Sequence, residues 1–303
     1  PTILINGCIS GIGTGWSCTV PCYNPTDIIN SVKDWIEEKT VKPIHPWYRN
    51  YNGQIEIDKK TDSKYISWGN IKKISRNTKV VDELPVGMWT DTFKEKLDIL
   101  NEKKLFNSIK NYSTTTSVNF QIKESKDGLN CNLENLGLKK YIYTSNMVLF
   151  SEKEKITKYH KIEDIINNFC EIRLLYYIKR KKYMLDTINN DLKFIKNKKR
   201  FLIEVTNGTI KMFKLNGVKR SSRPESEIIQ DLENRKYQKI SENNDIKTYN
   251  YLLRLQFRQI TEENINKLHT DIISKIKTRN LLETTTEKEL WLQDISEFQK
   301  AYE

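Results

Sequence analysis

Two periods of apolar recurrence divide this chain. Asn24-Pro25-Thr26-Asp27 reads as a helix start, and Ile28, Ile29, Val32, Trp35 and Ile36 follow on helical spacing. Pro43 and Pro46 then break the pattern, and the neighbouring Trp47, Tyr48 and Tyr51 read as core and turn packing. Short alternating segments predict strands at Ile55/Ile57, Tyr65/Ile66, Ile71/Ile74, Val80/Val81 and Val118/Phe120/Ile122, with a helix near Asp91 to Leu100 between them. Tyr141-Ile142-Tyr143 and Met147-Val148-Leu149-Phe150 close this mixed-sheet region near residue 155.

Beyond it the period changes. From Lys161 there is no proline or glycine until Gly208, and apolar residues fall at 162, 165, 166, 169, 172, 176 and 183, with a second set at 178, 185, 188, 192 and 195. Roughly 40 such residues make a helix about 60 Å long, which needs a partner helix to cover its stripe. Downstream, Thr261 before Glu262 and Glu263 is a helix start, and Ile265, Leu268, Ile272 and Ile276 supply the matching stripe. Thr286-Glu287-Lys288-Glu289 has capping-box spacing and opens a last helix with Leu290, Trp291, Ile295 and Phe298. The outgoing and returning segments should pair antiparallel. Between them, 201–260 predicts a small distal unit with Asn207-Gly208, Pro224 and the polar stretch Ser241 to Lys247.

The chain opens on Pro1-Thr2-Ile3-Leu4-Ile5-Asn6-Gly7, read as a strand-like run; with Pro1 in place of methionine, the sequence reads as an internal piece of a longer protein. Gly11-Ile12-Gly13-Thr14-Gly15-Trp16-Ser17 follows. Glycines without Cβ let a backbone approach a phosphate chain closely. A nucleotide-binding loop is disfavoured, because no Gly-Lys-Ser/Thr ending is present and the spacing is Gly-x-Gly-x-Gly.

Charge points the same way. The 51 Lys and Arg against 39 Asp and Glu give +12, which favours a polyanionic partner. Residues 151–200 hold 14 basic and 7 acidic groups, over half of the excess; within them Lys179-Arg180-Lys181-Lys182 reads as a solvated helix face. With 303 residues, 37% of them hydrophobic, the chain can fold as two or more units. Its cysteines, Cys8, Cys18, Cys22, Cys131 and Cys170, lie far from its three histidines and form no zinc pattern; they read as buried thiols of a reducing, intracellular compartment. No apolar run approaches the roughly 20 residues that span a bilayer, so no membrane partner is expected.

These landmarks resemble, in order along nearly the whole chain, the type IIA DNA topoisomerases, and the eukaryotic and large-DNA-virus branch in particular. Asn6-Gly7 with Gly11, Ile12, Gly13, Thr14, Gly15, Trp16 and Ser17 resembles the DNA-gate loop that follows the winged-helix domain. Glu83-Leu84-Pro85-Val86 with Trp89-Thr90 is similar to the characteristic turn of the tower domain. Asn146 to Phe150 resembles the strand before the coiled-coil arm, and Phe169 to Leu174 with Tyr176-Tyr177 the opening turns of that arm. Tyr249, Asn250, Tyr251, Leu252 and Leu253 are similar to the entry of the C-gate dimer contact, and Glu289-Leu290-Trp291 with Asp294 to the segment returning along the arm. One departure is visible: Cys8-Ile9-Ser10 separates Gly7 from Gly11 where the family usually has two residues, so Ile9 competes with Ile12 as the apolar wedge.

The resemblance implies an α+β chain. Residues 1–25 would end the winged-helix region, 26–155 form a mixed-sheet tower, 156–200 the outgoing coiled-coil arm, 201–260 a small helical C-gate dimerisation unit, and 261–303 the C-gate and returning arm. It implies part of a homodimeric, ATP- and Mg-dependent enzyme that passes one duplex through another, acting in the nucleus or at a viral replication site. This segment would bend the gate duplex through Ile12, cradle its flanks near Lys72, Lys73 and Arg76, and join two protomers. The nucleophilic tyrosine, the metal carboxylates and the ATPase would lie upstream. No residue here is expected to be catalytic, to hold a metal or to bind a cofactor. The alternative is a stand-alone DNA-binding dimerisation scaffold that never cleaves.

Overall fold

The computed structural model describes residues 2–61, 63–125, 130–216, 219–240 and 247–302. Nearly all of the polar stretch Ser241 to Lys247 lies outside them. The chain forms two compact units, Pro1–Arg173 with Ile295–Glu303, and Leu174–Asp294.

The first unit opens on α1 (Thr2–Asn6), a short helix where the sequence predicts a strand. Leu4 is fully buried and the Gly7 N–H closes on the Ile3 carbonyl at 2.9 Å, so tertiary burial overrides the β preference of Ile3 and Ile5. The hairpin β1 (Cys8–Gly13) and β2 (Trp16–Val20) follows, then α2 (Pro25–Ile36). The Asn24 side chain accepts the Thr26 N–H at 2.9 Å, and Pro25 occupies a first-turn position whose N–H has no helical partner in any case. Ile28, Ile29, Val32 and Ile36 are buried as their spacing predicts.

Strands β3 (Gln54–Ile57), β4 (Lys64–Trp68), β5 (Asn70–Ser75) and β6 (Thr78–Glu83) precede α3 (Thr90–Glu102). After it come β7 (Phe106–Asn111), β8 (Phe120–Glu124), β9 (Lys139–Tyr143), β10 (Met147–Phe150) and β11 (Ile156–Tyr159). They assemble as a three-stranded sheet β3-β4-β9, a four-stranded sheet β5-β6-β8-β7 and the hairpin β10-β11. Every pairing among the described residues is antiparallel, where the sequence reading left the region mixed. The reason is topological: β6 and β7 run the same way and are joined through α3, but β8 inserts between them and separates the two strands that a crossover would have paired. Phe93 and Leu97 of α3 fill the core of this sheet with Val81, Phe106, Phe120 and Ile122; the Phe93 and Phe120 rings meet edge to face at 5.1 Å.

The second unit is built on α4 (Ile162–Thr206), 45 residues without a break, whose first turns belong to the first unit. The hairpin β12 (Phe213–Asn216) and β13 (Lys219–Ser222) follows, then α5 (Glu225–Asn234), α6 (Asn250–Leu253), α7 (Glu262–Thr284) and α8 (Glu287–Tyr302). The distal unit, expected to be helical, thus also carries a β-hairpin. Both caps read from sequence form: Thr261 accepts the Asn264 N–H at 3.3 Å, and Thr286 and Glu289 bond reciprocally at 2.7 and 3.2 Å.

Cross-contacts fix the pairing of α4 with the returning helices. Asp191 meets Lys275 at 2.6 Å, Lys181 meets Glu287 at 3.3 Å, and the Tyr177 ring stacks on Trp291 at 5.4 Å. As one number falls the other rises, so the two runs are antiparallel, as expected. The seam, however, runs through Tyr177, Lys181 and Leu192, while Tyr176 and Tyr183 are 57% and 73% exposed. Apolar residues occupy more than one face of α4, and the carboxylates of Glu287 and Asp294 select which face turns inward. The basic run is split accordingly: Lys179 and Lys182 are exposed, but Arg180 pairs with Asp294 and Lys181 with Glu287.

In the four-stranded sheet, Glu124 accepts the Cys131 N–H at 2.8 Å and lies 3.0 Å from the Lys79 ammonium, which also donates to the Cys131 carbonyl at 2.7 Å. Partial burial opposes the charge, but the Cys131 N–H and the Lys79 ammonium outweigh it and hold the carboxyl below its ordinary range. Glu124→Gln is expected to lower stability by about 1–3 kcal/mol at neutral pH in chemical denaturation. Because the folded pKa is depressed, this contribution is present above the ordinary carboxylate pKa and lost as pH falls through the folded one; the wild-type and variant curves should converge in acid.

Candidate nucleic-acid interface

The glycine-rich segment is a β-ribbon rather than a loop. α1 ends on Gly7 at φ +66, where an added Cβ would lie 2.6 Å from the Cys22 sulfur and 3.0 Å from the Val20 carbonyl, so only glycine fits. In the ribbon Cys8 faces Val20, Gly11 faces Cys18, Ile12 faces Ser17 and Gly13 faces Trp16. Thr14-Gly15 forms the turn, with Gly15 at φ +75. An X-Gly pair between alternating residues is a hairpin signal, and the density of glycines masked it in the sequence reading.

The extra residue in Cys8-Ile9-Ser10 appears as a bulge: β1 takes three steps from Cys8 to Gly11 while β2 takes two from Val20 to Cys18. It is absorbed at the base of the ribbon, so the tip keeps its register and Ile12 stays beside the turn. Ile12 is 85% exposed, Ile9 76% and Trp16 55%. Ile9 projects from the bulge and Ile12 from the regular end.

The root is fixed. Leu4 and Val20 are buried, the Thr19 N–H donates to the Asn146 carbonyl at 2.8 Å, and the Asn146 amide donates to the Ser17 hydroxyl at 2.9 Å. Asn146, the residue that leads into β10, therefore anchors the ribbon; the sequence identified its segment without this role. Gly11, Ile12, Gly13, Thr14, Gly15, Trp16 and Ser17 gather on the ribbon's outer half. Asn6 lies at its base, its carbonyl accepting the Cys22 thiol at 3.2 Å. Cys8, Cys18 and Cys22 are only half-buried, unlike Cys131 and Cys170. Burial holds the Cys18 and Cys22 thiols above their ordinary range.

In the second unit, Tyr249, Tyr251 and Leu252 are core residues, packed with Phe201, Ile228, Leu232 and Tyr237. The Tyr249 hydroxyl donates to the Tyr237 carbonyl at 3.0 Å and that of Tyr251 to the Gln238 carbonyl at 2.8 Å. Asn250 and Leu253 are partly exposed. Tyr249, Tyr251 and Leu252 thus brace the unit from within, while Asn250 and Leu253 reach its surface.

Burial pushes Tyr48 up to about 12 and Tyr23 and Tyr237 higher still, which keeps each a neutral phenol. Among the described residues no three of His, Cys, Asp or Glu converge as a metal site requires. No described helix is long and apolar enough to cross a membrane.

Comparison with known proteins gives four findings. Residues 1–297 match the family described as the A subunit of DNA gyrase/topoisomerase IV. The chain is 37% identical to "DNA topoisomerase 2" of Invertebrate iridescent virus 6, over 99% of this chain and 26% of that protein. It is 31% identical to "DNA topoisomerase 2" of Plasmodium falciparum, over 100% of this chain and 24% of that protein. Among solved structures it is similar to the Plasmodium falciparum topoisomerase II DNA-binding, cleavage and re-ligation domain, with TM-score 0.81 and 30% identity, covering 100% of this chain and 44% of that one. The chain spans about a quarter of the length of these curated relatives.

Gly7→Ala is expected to lower the melting temperature by several degrees, roughly 1–3 kcal/mol of strain and collision. Gly13→Ala, whose Cβ would meet only the Trp16 carbonyl at 3.9 Å, should melt with the wild type in the same calorimetric scan.

Proposed function

The chain belongs to the type IIA topoisomerases, as its match to the DNA gyrase/topoisomerase IV family shows, and on that premise we propose that it bends and cradles a gate duplex and joins two protomers. The whole protein would be an ATP- and Mg-dependent enzyme that passes one DNA duplex through a transient break in another, acting in a nucleus or at a viral replication site. The tyrosine, the carboxylates and the ATPase that this chemistry needs would come from other segments.

Ile12 carries this reading. An isoleucine 85% exposed at the tip of a ribbon whose root is buried leaves most of its apolar surface in water. Inserted between base pairs, it regains about 1.5–3 kcal/mol of burial, comparable with the few kcal/mol that unstacking one step costs. Basic groups such as Lys72, Lys73 and Arg76, all exposed on β5 and its turn, would supply the remainder by neutralising phosphates on the flanks. We assign 1–25 to the gate ribbon and its root, 26–155 to the tower, 156–200 and 261–303 to the arm, and 201–260 to the dimer unit. Within that unit Tyr249, Asn250, Tyr251, Leu252 and Leu253 would hold the contact surface in shape.

Two outcomes test this. In the full enzyme, Ile12→Ala should reduce DNA bending, read by fluorescence transfer across a doubly labelled duplex, and cleavage by about tenfold, with a smaller change in affinity. Unaltered bending would remove the wedge. Replacing residues 207–260 by a short Gly-Ser linker, which keeps α4 to its end at Thr206, should turn a dimer into a monomer in sedimentation. An unchanged dimer mass would place the contact elsewhere.

A further inference from the structure

The three-stranded sheet has one face that the gate, tower and dimer readings leave without a use. Its inner face carries the buried Ser67 and Ile142. On the outer face three cross-strand pairs stand in succession: Trp68 with Lys139, Ile66 with Tyr141, and Lys64 with Tyr143. Tyr141 and Tyr143 remain 42% and 44% exposed, with ring centroids 6.3 Å apart and planes tilted by 41°. Each lysine serves two rings. The Lys64 ammonium lies 5.7 and 5.5 Å from the Tyr141 and Tyr143 centroids, and the Lys139 ammonium 5.0 and 5.3 Å from those of Trp68 and Tyr141. On the neighbouring strand Glu56, paired with Ile66, brings a carboxylate to this face.

We propose that this face binds single-stranded nucleic acid, stacking unpaired bases on Tyr141 and Tyr143 and holding the adjoining phosphates on Lys64 and Lys139. The inference is independent of the gate reading. A polyanion matches two ammonium groups against one carboxylate, and the rings decide which polyanion. In a duplex the base faces are already stacked and inaccessible, so exposed tyrosines beside lysines add nothing that lysines alone would lack. An unpaired strand presents both base faces and phosphates, and a small antiparallel sheet with aromatic and basic side chains on one face meets both at once. Same-face positions on a strand lie about 6.6 Å apart, so successive bases can use successive tyrosines.

The test is fluorescence anisotropy on the purified protein with a labelled short oligothymidylate, an oligouridylate of equal length and a blunt duplex. Tyr141→Ala with Tyr143→Ala should weaken single-strand binding by about tenfold or more and leave duplex affinity within about twofold. Tyr141→Phe with Tyr143→Phe, which keeps stacking, should retain single-strand affinity. Lys64→Gln with Lys139→Gln should reduce the slope of log affinity against log salt by about 1.4, two phosphate contacts' worth; this variant keeps all the rings and decides the matter if the alanine pair fails to fold. Thymidylate against uridylate separates DNA from RNA as the source. Equal loss for duplex and single strand, or no loss for either, would overturn the proposal. Binding of labelled polyglutamate that the lysine variant abolishes, with thymidylate binding untouched, would overturn it in favour of an acidic peptide.

Discussion

A two-stranded ribbon of this length is marginal in water, and every exposed feature of the first unit's glycine-rich segment depends on how its root is held. Two buried side chains, Leu4 and Val20, and two hydrogen bonds to Asn146 hold it. With the base fixed, the ribbon can leave Ile12 and Trp16 on its outer half, and Ile9 at the bulge, in solvent without collapse onto the core. Gly7 makes the arrangement possible, because only a residue without Cβ can turn the chain out of α1 so close to Cys22 and Val20. The bulge at Cys8 to Gly11 takes up the one residue by which β1 outruns β2 there and keeps the tip in register.

A different balance governs the second unit. Its long helix offers apolar residues on several faces, so hydrophobic burial alone does not choose a seam. The choice falls to a few polar contacts. Asp294 accepts both the Tyr177 hydroxyl and the Arg180 guanidinium, Glu287 meets Lys181, and Asp191 meets Lys275. Each such pair is worth little on a solvated surface, but together they exclude registers in which these charges would be left opposite apolar neighbours. The distal core follows the same logic, since the hydroxyls of Tyr249 and Tyr251 end on the carbonyls of Tyr237 and Gln238 and tie the connection after α5 to α6.

The first unit combines an exposed apolar ribbon tip with a sheet whose β5 carries exposed basic groups. The second unit contributes a helix unbroken over 45 residues, and burial holds Tyr23, Tyr48 and Tyr237 as neutral phenols.

Much of this was legible in residue order. Asn24-Pro25, Thr261 and Thr286 with Glu289 act within one helical turn, so their caps follow from spacing alone and form as read. The strand pattern from Ile55 to Ile122, the uninterrupted helix after Lys161 and the antiparallel return are likewise local periodicities. Long-range contacts decided the rest. Thr2 to Asn6 form a helix that buries Leu4; β8 separates β6 from β7; and the distant carboxylate of Asp294 holds Tyr177 inward while Tyr176 stays in water. Asn146 was visible as part of a motif, but its grip on Ser17 and Thr19 joins residues more than a hundred positions apart. Period and capping are properties of neighbours in sequence; register, root and seam are properties of neighbours in space, and only the folded chain brings those together.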